Sequence, residues 1–482
     1  MHAKVRAMYD RICAMDEARL TVLDAAYHLE SSRGPHLDWT TCWVFDSGDR
    51  AVPSPEEVTT HLLGRAPLVS VLRRRLREVP GGLDYPDWVV DDTPFQRHIE
   101  HHTDDGAHGM SWAQFLEGWA AVTATPLAPG HAWRLHVFHD VRDAPTAAGA
   151  ATVVVFDAAH SLIAGPSIAS LSAALFGVPG TPATVPGLGA AAESWDPRVR
   201  AATAIARGPF RMARWAVGLL SADRPTPTAI TDRPLTRFNR GRGARRTIRT
   251  MSVDPAVLRR GGLTVTETAL TAIAEAMQRY LHECDGMSPD ALAAAVTVAL
   301  TTAPEELGVN RLGAVTVDLR PDLTDPVDRS RAIRHSLTEG RRACESPATS
   351  TALRIDNLLP RPLYPVVAAQ RRRGLDALRA AGRTTEHAVL TSVNCGNAQW
   401  SLCGRDLVQC AMTVPLPSHT HLTHGLVGTS AGLTLSVHGT PESLPDPDRY
   451  LALLTDAFSR VGTALTAQLA HRNEFHGGAA FP

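Results

Sequence analysis

Apolar and polar positions follow two different periods along this chain. Residues 151–158, ATVVVFDA, form a short apolar run rich in β-branched side chains, which predicts a buried strand. A few residues later, Ile168, Leu171 and Leu175 recur at helical spacing. The pattern therefore predicts a strand, a loop and a helix in this order.

Two further segments carry the start signals of helices. Ser54-Pro55-Glu56-Glu57 combines a hydroxyl N-cap, a first-turn proline and a carboxylate that can reach back to the cap. Thr264 and Glu267 have the same spacing, and they precede apolar residues on one helical face up to Leu281. A helix is expected at each place.

The second half of the chain repeats this alternation of strands and helices. Residues 314–319 are expected to form a strand, and apolar positions from Leu451 to Leu465 predict a last amphipathic helix opened by Pro445-Asp446-Pro447. Residues 471–482 are expected to form a loose tail. Both halves therefore predict an α/β architecture.

Prolines and glycines interrupt the chain between residues 179 and 234, with one predicted helix at 200–220. Such a stretch is typical of a crossover between lobes. The expected division is an N-terminal lobe at 1–185, a linker with a helix at 186–235 and a C-terminal lobe at 236–482.

Composition excludes several classes of partner. The 482 residues include 48 basic and 49 acidic side chains, so no broad field favours nucleic acid as a partner. No apolar run approaches the roughly 20 residues of a transmembrane helix, and the start, MHAKVRAMYDRICAMDEAR, lacks a signal-peptide pattern. A soluble, cytoplasmic protein without a transmembrane segment is expected.

The seven cysteines run from Cys13 to Cys410 without a CxxC pair. An odd number at such spacing indicates neither a disulfide framework nor a zinc knuckle. Buried free thiols and no metal site are expected.

One histidine, His160, follows the predicted strand in the sequence Ala158-Ala159-His160-Ser161-Leu162. A junction between a buried strand and a helix often holds a catalytic side chain. By spacing alone, a hydrogen-bonded structural histidine is the commoner alternative. The candidate therefore needs support from the rest of the chain.

Ordered motifs supply that support. Residues 159–165 resemble HHxxxDG, the signature of the bacterial wax ester synthase/diacylglycerol acyltransferase family and of the wider group that includes peptide-synthetase condensation domains. Further landmarks of this family are similar, in order, to Leu23–Glu30, Trp88–Ile99, Pro126–Leu135, Gly262–Leu281 and Asn310–Arg334. The resemblance covers nearly the whole chain.

Within the signature, the first histidine corresponds to Ala159, the second to His160, the aspartate to Ala164 and the glycine to Gly165. The resemblance implies that His160 is the general base that deprotonates an acceptor hydroxyl or amine. It also implies that the missing aspartate is structural, pairing with an arginine, which alanine cannot do.

The second half departs from the family in the same way. The family's S-N-V-P-G-P turn corresponds to residues 392–397, which keep Ser392, a shifted Asn394 and Gly396 but no proline, and Thr266-Glu267 replaces Asn-Asp. Changes around one site predict an altered substrate or altered chemistry.

The resemblance implies an α/β fold of two chloramphenicol-acetyltransferase-like lobes, with an active-site tunnel at their junction. It implies transfer of an acyl group to a small-molecule hydroxyl or amine acceptor in specialised metabolism. An acyl-CoA or acyl-carrier-protein thioester is the expected co-substrate, an acyl carrier protein a possible partner, and no bound cofactor is expected. The alternatives are a repurposed scaffold for elimination, cyclisation or epimerisation, and a non-catalytic acyl-binding or carrier-binding protein.

Other histidines are weighed against simpler interpretations. His101-His102-Thr103-Asp104-Asp105-Gly106 imitates the signature but is one residue short, so it is interpreted as a coincidence. His419, His421 and His424 have a spacing that could serve a metal, although a solvated loop is the favoured interpretation. Their position within the family pattern raises a second hypothesis, that they assist His160.

Two arginine-rich stretches complete the candidates. Residues 237–249, RFNRGRGARRTIR, could bind coenzyme A or pantetheine phosphates through Arg245 and Arg246, against the simpler interpretation of a solvated strand edge. Arg73-Arg74-Arg75 and Arg77 alternate with leucines at helical spacing and predict an exposed helix face.

Overall fold

The structure is a computed structural model. It describes residues 17–31, 36–104, 109–193, 195–221, 232–241, 243–258, 262–300 and 303–477. Cys13, most of the charged start of the chain, residues 222–231 of the predicted linker and the last five residues lie outside the described residues.

The described residues alternate between helices and strands throughout. The helices are α1 (Val22–Ser31), α2 (Pro55–Arg65), α3 (Trp112–Ala124), α4 (Ile168–Phe176), α5 (Pro197–Ser221), α6 (Pro255–Leu258), α7 (Val265–Asp285), α8 (Pro326–Cys344), α9 (Pro347–Asp356), α10 (Tyr364–Ala380) and α11 (Pro447–Gly477). The strands are β1 (Trp39–Asp46), β2 (Arg74–Arg77), β3 (Asp87–Val90), β4 (Ile99–His102), β5 (Met110–Ser111), β6 (Trp133–Arg142), β7 (Ala151–Ala158), β8 (Arg233–Pro234), β9 (Thr247–Val253), β10 (Ala293–Ala299), β11 (Leu312–Asp318), β12 (Arg383–Thr384), β13 (Ala388–Asn394), β14 (Ser401–Leu402), β15 (Arg405–Thr413), β16 (Leu422–Thr429) and β17 (Gly432–Gly439).

The predicted helix starts are confirmed at atomic detail. At α2, Ser54 Oγ accepts from the Glu57 amide at 3.2 Å, and the Ser54 amide donates to Glu57 Oε2 at 2.8 Å. At α7, Thr264 and Glu267 form the same reciprocal pair at 3.3 and 2.7 Å. Each capping box satisfies two of the amide donors that a helix start leaves unpaired.

The central strand and the elements after it are also confirmed. Every residue of β7 is buried, α4 follows it, and the predicted helix of the crossover corresponds to α5. The final helix is longer than predicted. Since α11 runs to Gly477, the expectation of a loose tail is wrong for residues 471–477.

The arginine-rich segment near residue 75 is a strand, which corrects the predicted helix. Residues 74–77 form β2, which pairs antiparallel with β3 so that Leu76 lies opposite Trp88. The spacing of Leu72 and Leu76 fits a helix by period alone, but Leu72 lies in a separate 3₁₀ turn. Two leucines four residues apart thus face the core without a helix between them.

Two large sheets form the framework of the molecule. The first has the order β14-β15-β1-β7-β6-β4, with β5 also pairing β6, and the second has the order β11-β10-β13-β16-β17-β9. Helices α7 and α11 pack against each other, and their apolar residues share a core with the second sheet. Both faces of the first sheet are covered by separate apolar clusters. These are the two lobes of an α/β fold, as expected.

One connection crosses between the lobes. Strands β14 and β15 belong to the second half of the chain, yet β15 pairs antiparallel with β1 of the first half, with Thr40 opposite Thr413. The predicted bounds do not anticipate this exchange, since they assign residues 236–482 to one lobe. The domain bounds stay a prediction. Strands β14 and β15, from the second half of the chain, complete the first sheet.

Helix α5 is anchored to the first lobe by buried charges. Arg200 Nε donates to Asp87 at 2.6 Å, and Arg200 Nη2 donates to Asp84 at 3.0 Å, with all three side chains at most 5% exposed. A buried pair of this kind is costly to break because the remaining charge would be left unpaired. Of the described helices, none has the length and apolar character that a membrane-spanning segment requires.

Candidate active site

His160 lies at the end of the central strand of the first sheet. After β7 the chain turns, with the Ala159 amide bonded to the Ala132 carbonyl and the Leu162 amide bonded to the Ala159 carbonyl. The imidazole stacks on Tyr27, with ring centroids 4.1 Å apart and planes 10° apart, and Trp39 lies 5.9 Å away. Two aromatic rings from the start of the chain therefore fix the plane of the histidine.

The backbone of His160 is held from the second lobe. Asn310 Nδ2 donates to the His160 carbonyl at 2.8 Å and to Asp24 Oδ1 at 2.9 Å. Asp24 also accepts from the backbone amides of Val309 at 3.0 Å and Asn310 at 2.9 Å. We call Asp24, Asn310 and the His160 carbonyl the carbonyl clamp. It joins α1, the segment before β11 and the turn after β7.

Burial shapes the charges in this region. It lowers the pKa of His160 to about 4, so the imidazole is neutral near pH 7 and able to accept a proton. Burial raises the pKa of Asp24 to about 6, against the hydrogen bonds that stabilise its charged form. His160 Nδ1 and Asn310 Oδ1 are both buried and complete no hydrogen bond within the described part of the chain.

A cavity of about 520 Å³ opens beside His160 at the junction of the lobes. The first lobe contributes Tyr27, Leu37, Trp39, His160, Gly165 and Pro166 to its wall. The second half contributes Thr297, Ala299, Leu312, Val389, Thr391, Ser392, Val393, Asn394, Met412, Thr413, Val414, Pro415 and Pro417. The wall is thus largely apolar, with hydroxyl and amide groups on the side of the second sheet.

The hydroxyl groups are already paired with one another. Thr297 Oγ1 and Thr391 Oγ1 lie 2.9 Å apart across β10 and β13, and Ser392 Oγ lies 3.0 Å from Thr266 Oγ1. Thr266 therefore contacts the predicted site residue Ser392 from α7. These pairs give the second-lobe wall donors and acceptors that can exchange partners when a polar substrate enters.

The signature positions around His160 are placed as follows. Ala159 and Ala164 are 6% and 3% exposed, and Gly165 lines the cavity. A Cβ on Gly165 would lie 2.8 Å from Val393 Cγ2 of the second lobe, which is closer than atoms can pack. A larger residue here would therefore require Val393 or the backbone of one lobe to shift.

The predicted turn after β13 is divided between the cavity and the surface. Ser392 and Asn394 line the cavity, whereas Gly396 is exposed beyond it. Gly396 has a φ of 76°, and its amide donates to Asn394 Oδ1 at 3.0 Å. Gly396 thus shapes a turn that fixes the Asn394 side chain.

The histidines at 419–424 do not form a solvated loop, which corrects that prediction. His424 is fully buried within β16, and its Nε2 lies 3.0 Å from the Tyr450 hydroxyl. His419 Nε2 lies 2.5 Å from Glu386 Oε1, and the buried His421 donates its amide to the Phe238 carbonyl. His419 and His421 precede β16, only His424 lies within it, and the wall of the cavity includes none of the three.

The arginine-rich stretch at 237–249 is partly used within the fold. Arg237 pairs with Asp285, and Arg249 pairs with Asp448. Arg245 is exposed, while Arg246 Nη1 donates to the Gly243 carbonyl at 2.7 Å and burial lowers the Arg246 pKa. Neither Arg245 nor Arg246 borders the cavity, so phosphate binding by this pair stays a prediction.

The remaining sequence candidates lie elsewhere. His101 and His102 are on β4, at the edge of the first sheet away from the cavity wall, which agrees with their interpretation as a coincidental match. The cysteines within the described residues are free, as expected. Cys42, Cys395 and Cys410 are buried, whereas Cys284 is exposed, so burial is only partly confirmed.

Sequence reasoning did not single out Asp24 and Asn310 as neighbours of His160, although both belong to the landmarks named above. A signal was present for Asp24, which is an acidic residue among Val22, Ala25 and Leu29 on the buried face of a helix. A buried carboxylate needs partners. Nothing in the sequence indicates that those partners lie at residues 309 and 310.

Comparison with known proteins gives a consistent result. The model of the WS/DGAT C-terminal domain matches residues 309–461. A Mycobacterium tuberculosis protein named as a diacylglycerol O-acyltransferase is 26% identical over 296 residues, covering 56% of this chain and 60% of that protein. Across the curated relatives, the matched stretches span as little as 24% of a relative's length.

Solved structures show the same fold. The wax ester synthase/diacylglycerol acyltransferase from Marinobacter aquaeolei VT8 aligns with a TM-score of 0.63 at 16% identity, over 93% of this chain and all of the other. The first condensation domain of the CDA synthetase aligns with a TM-score of 0.50 at 14% identity, over 92% of this chain and 95% of that one. Together with the ordered motifs, these matches show that residues 309–461 resemble the WS/DGAT C-terminal domain and that the chain has the fold of the wax ester synthase/diacylglycerol acyltransferase, with alanine at two positions of the signature.

Proposed function

We propose that this protein transfers an acyl group from a thioester to a hydroxyl or amine, with His160 as the general base. The observation that carries the proposal is the position of the His160 imidazole, which lies in the wall of a 520 Å³ cavity between the two lobes. The match of residues 309–461 to the WS/DGAT C-terminal domain supports the same assignment, as does the neutral state of the His160 imidazole near pH 7.

One histidine is sufficient for both proton transfers of this reaction. His160 accepts the proton of the acceptor O–H or N–H group while the oxygen or nitrogen attacks the acyl carbon. The new C–O or C–N bond forms, the C–S bond breaks, and the departing sulfur takes the proton from the imidazolium to leave as a free thiol. Because the low pKa of His160 makes the imidazolium strongly acidic, return of this proton to the thiolate is favourable.

The carbonyl clamp supports catalysis in the absence of the signature aspartate. Ala164 cannot orient the turn through an ion pair, but Asn310 holds the His160 carbonyl and is itself held by Asp24. The Tyr27 ring fixes the imidazole plane from the other side. We propose that these contacts position the base where the family normally uses its aspartate.

The cavity supports a small acceptor. Its volume lies within the range of roughly 300–1,000 Å³ that suits drug-sized ligands. Hydroxyl groups of Thr297, Thr391 and Ser392 offer hydrogen bonds to a polar acceptor on the second-lobe side. These features favour an acceptor from specialised metabolism, with coenzyme A or a carrier protein as the donor's thiol.

The test is turnover with a panel of donors and acceptors. Wild type, His160→Ala and the control His335→Ala, an exposed position on α8, are incubated with short and long acyl-CoA donors and with simple alcohols and amines. Release of free thiol and product mass are followed together. We expect a loss of roughly 10²–10⁴-fold in His160→Ala and no change in the control.

Each other outcome has a definite meaning. Equal turnover in wild type and His160→Ala refutes the assigned base. Silence from all proteins excludes transfer from coenzyme A to these acceptors, and the same panel is then repeated with acyl groups loaded on a carrier protein. Conversion without thiol release refutes transfer: a product of lower mass supports elimination, and an isomer of unchanged mass supports cyclisation or epimerisation.

A further inference from the structure

A second group of ionisable side chains lies at the outer edge of the first sheet. The edge strand β4 pairs parallel with β6, so that Glu100 is opposite His136 and His102 is opposite Phe138. Alternate residues of a strand share a face, so Glu100, His102 and His136 project on the same side. We call these three residues the edge triad.

The ligand atoms of the edge triad have the spacing of a metal site. His102 Nε2 lies 3.1 Å from His136 Nδ1 and 3.9 Å from Glu100 Oε1, and His136 Nδ1 lies 3.7 Å from Glu100 Oε2. Bonds of about 2.0–2.1 Å to tetrahedral zinc place neighbouring ligand atoms roughly 3.3 Å apart. One ligand atom from each of the three residues lies within 4.8 Å of the others, so a cation can reach all three groups once the Glu100 carboxylate moves towards the two imidazoles.

The edge triad is also chemically ready for a cation. Burial lowers the pKa of both His136 and His102, which favours the neutral imidazole that binds a metal, and a cation would replace the proton that the facing nitrogens share. The exposed fraction rises from 8% for His136 to 28% for His102 and 48% for Glu100. The site is thus open to solvent on one side, which leaves room for a water as fourth ligand.

Neighbouring groups hold the edge triad in place. The His102 ring stacks on Phe138, with centroids 4.4 Å apart and planes 14° apart. Arg134 Nη1 donates to Glu100 Oε2 at 3.2 Å, which leaves Oε1 towards His102. Hydrogen bonds of this kind commonly orient metal-binding carboxylates, although the positive charge of Arg134 also lowers the attraction for a cation.

We infer that Glu100, His102 and His136 form a binding site for a divalent transition metal, with Zn²⁺ as the preferred ion. Two imidazoles and one carboxylate suit zinc, whereas calcium and magnesium prefer oxygen ligands throughout. Because the ligands come from both strands, the metal would fasten the edge strand β4 to β6. The sequence spacing does not predict this site, since His102 and His136 are 34 residues apart.

The experiment is metal binding to the full-length protein. The protein is stripped with a chelator and titrated with Zn²⁺, and bound metal is measured by elemental analysis after dialysis. Wild type is expected to retain one more equivalent than Glu100→Gln or His136→Ala, with affinity lowered about 10-fold or more in each variant. Co²⁺ substitution is expected to give the visible absorption of a tetrahedral site in wild type alone.

The neighbouring His101 provides a matched control. It lies on the same strand but faces the other side, where its Nδ1 lies 2.8 Å from His139 Nε2. His101→Ala should bind zinc as wild type does. The inference is overturned if wild type binds no stoichiometric zinc, or if the same zinc persists in Glu100→Gln and His136→Ala. Glu100 is exposed, so its variant tests the site even if His136→Ala does not fold.

Discussion

At the scale of single residues, the environment of His160 depends on two polar groups that are distant in sequence. The Asp24 carboxylate accepts hydrogen bonds from the Val309 amide, the Asn310 amide and Asn310 Nδ2. Asn310 Nδ2 also donates to the His160 carbonyl. These hydrogen bonds satisfy buried polar groups on three segments of the chain. We therefore expect Asp24 to act as a positioning residue for the base.

The change Asp24→Asn tests this role. The asparagine NH2 group would replace one carboxylate oxygen, and in the place of Oδ2 it would face the Val309 amide, which loses its acceptor at a cost of roughly 1–3 kcal/mol. We expect a lower free energy of unfolding and a fall in kcat of about 10-fold or more, with little change in KM. Urea denaturation and steady-state kinetics measure both.

Glu30→Gln is the matched control because Glu30 lies on the same helix and bonds only outward, to Tyr364 and Arg372. Its kcat should stay at the wild-type value. A normal kcat in Asp24→Asn, or an equal fall in both variants, would contradict the positioning role.

The site could be predicted from the sequence only in part, for a reason visible at this scale. His160 and Gly165 were found because they stand in one short motif after a strand. Asp24 and Asn310 act together through a tertiary contact across 286 positions, which no local pattern encodes. The solvated loop predicted for residues 419–424 was wrong because His424 lies on a buried strand and His421 is buried beside it, and neither burial is visible in a polar stretch of sequence.

At the scale of elements, the two lobes meet where the turn after β7 lies against β13. Gly165 of the first lobe lies against Val393 of the second, with no room for a Cβ. This contact lies in the cavity wall beside His160. The separation of the lobes at the site is therefore set by one small residue.

Gly165→Ala should force the lobes apart or displace Val393. Overpacking of this kind costs roughly 1–3 kcal/mol, and we expect lower turnover because the second-lobe wall moves away from His160. The double variant Gly165→Ala, Val393→Ala should recover stability and activity, since it removes the Cγ2 that the new methyl meets. A double-mutant cycle of unfolding free energies and kcat measures the coupling. Additive effects would show that this contact does not set the separation.

Helices and strands were predicted best where a capping motif and the spacing of apolar residues indicate the same element. The capping boxes of α2 and α7 and the fully buried β7 follow directly from local sequence. The helix predicted around residues 74–77 was wrong because Leu72 and Leu76 have helical spacing although Leu72 ends a 3₁₀ turn and Leu76 lies in a strand. The pairing of β15 with β1 could not be predicted, because the sequence of neither strand specifies its partner in the sheet.

At the scale of the whole molecule, burial of histidines predicts a loss of stability in mild acid. Burial lowers the pKa from 6.5 to about 4 in His136, His139, His160, His387, His421, His424 and His438. Between these values the unfolded chain binds protons that the folded chain does not, so stability falls as the pH drops from about 6.5 to about 4.

Carboxylates whose pKa is raised by burial have the opposite effect on stability, and they are fewer than these histidines. Burial raises the pKa of Asp24 and Asp38 to about 6 and raises that of Asp157, so these groups favour the folded state as the pH drops through the same window. Since the histidines are more numerous, we expect the urea midpoint to decrease from pH 7 to pH 4.5. His438→Gln should flatten the slope, whereas His335→Gln should not. A midpoint that stays constant or rises would contradict this balance.

The exchange of β15 also constrains how the protein can be made. Strand β1 needs residues that lie 373 positions further along the chain, as the pair Thr40 and Thr413 shows. At a synthesis rate of about 5–20 residues per second, that partner emerges roughly 20–75 seconds after β1. During this interval one edge of β1, a strand whose residues 39–45 are buried in the folded protein, is unpaired, and such an edge is a template for aggregation. A nascent or truncated chain that ends before residue 413 therefore depends on chaperones to stay monomeric.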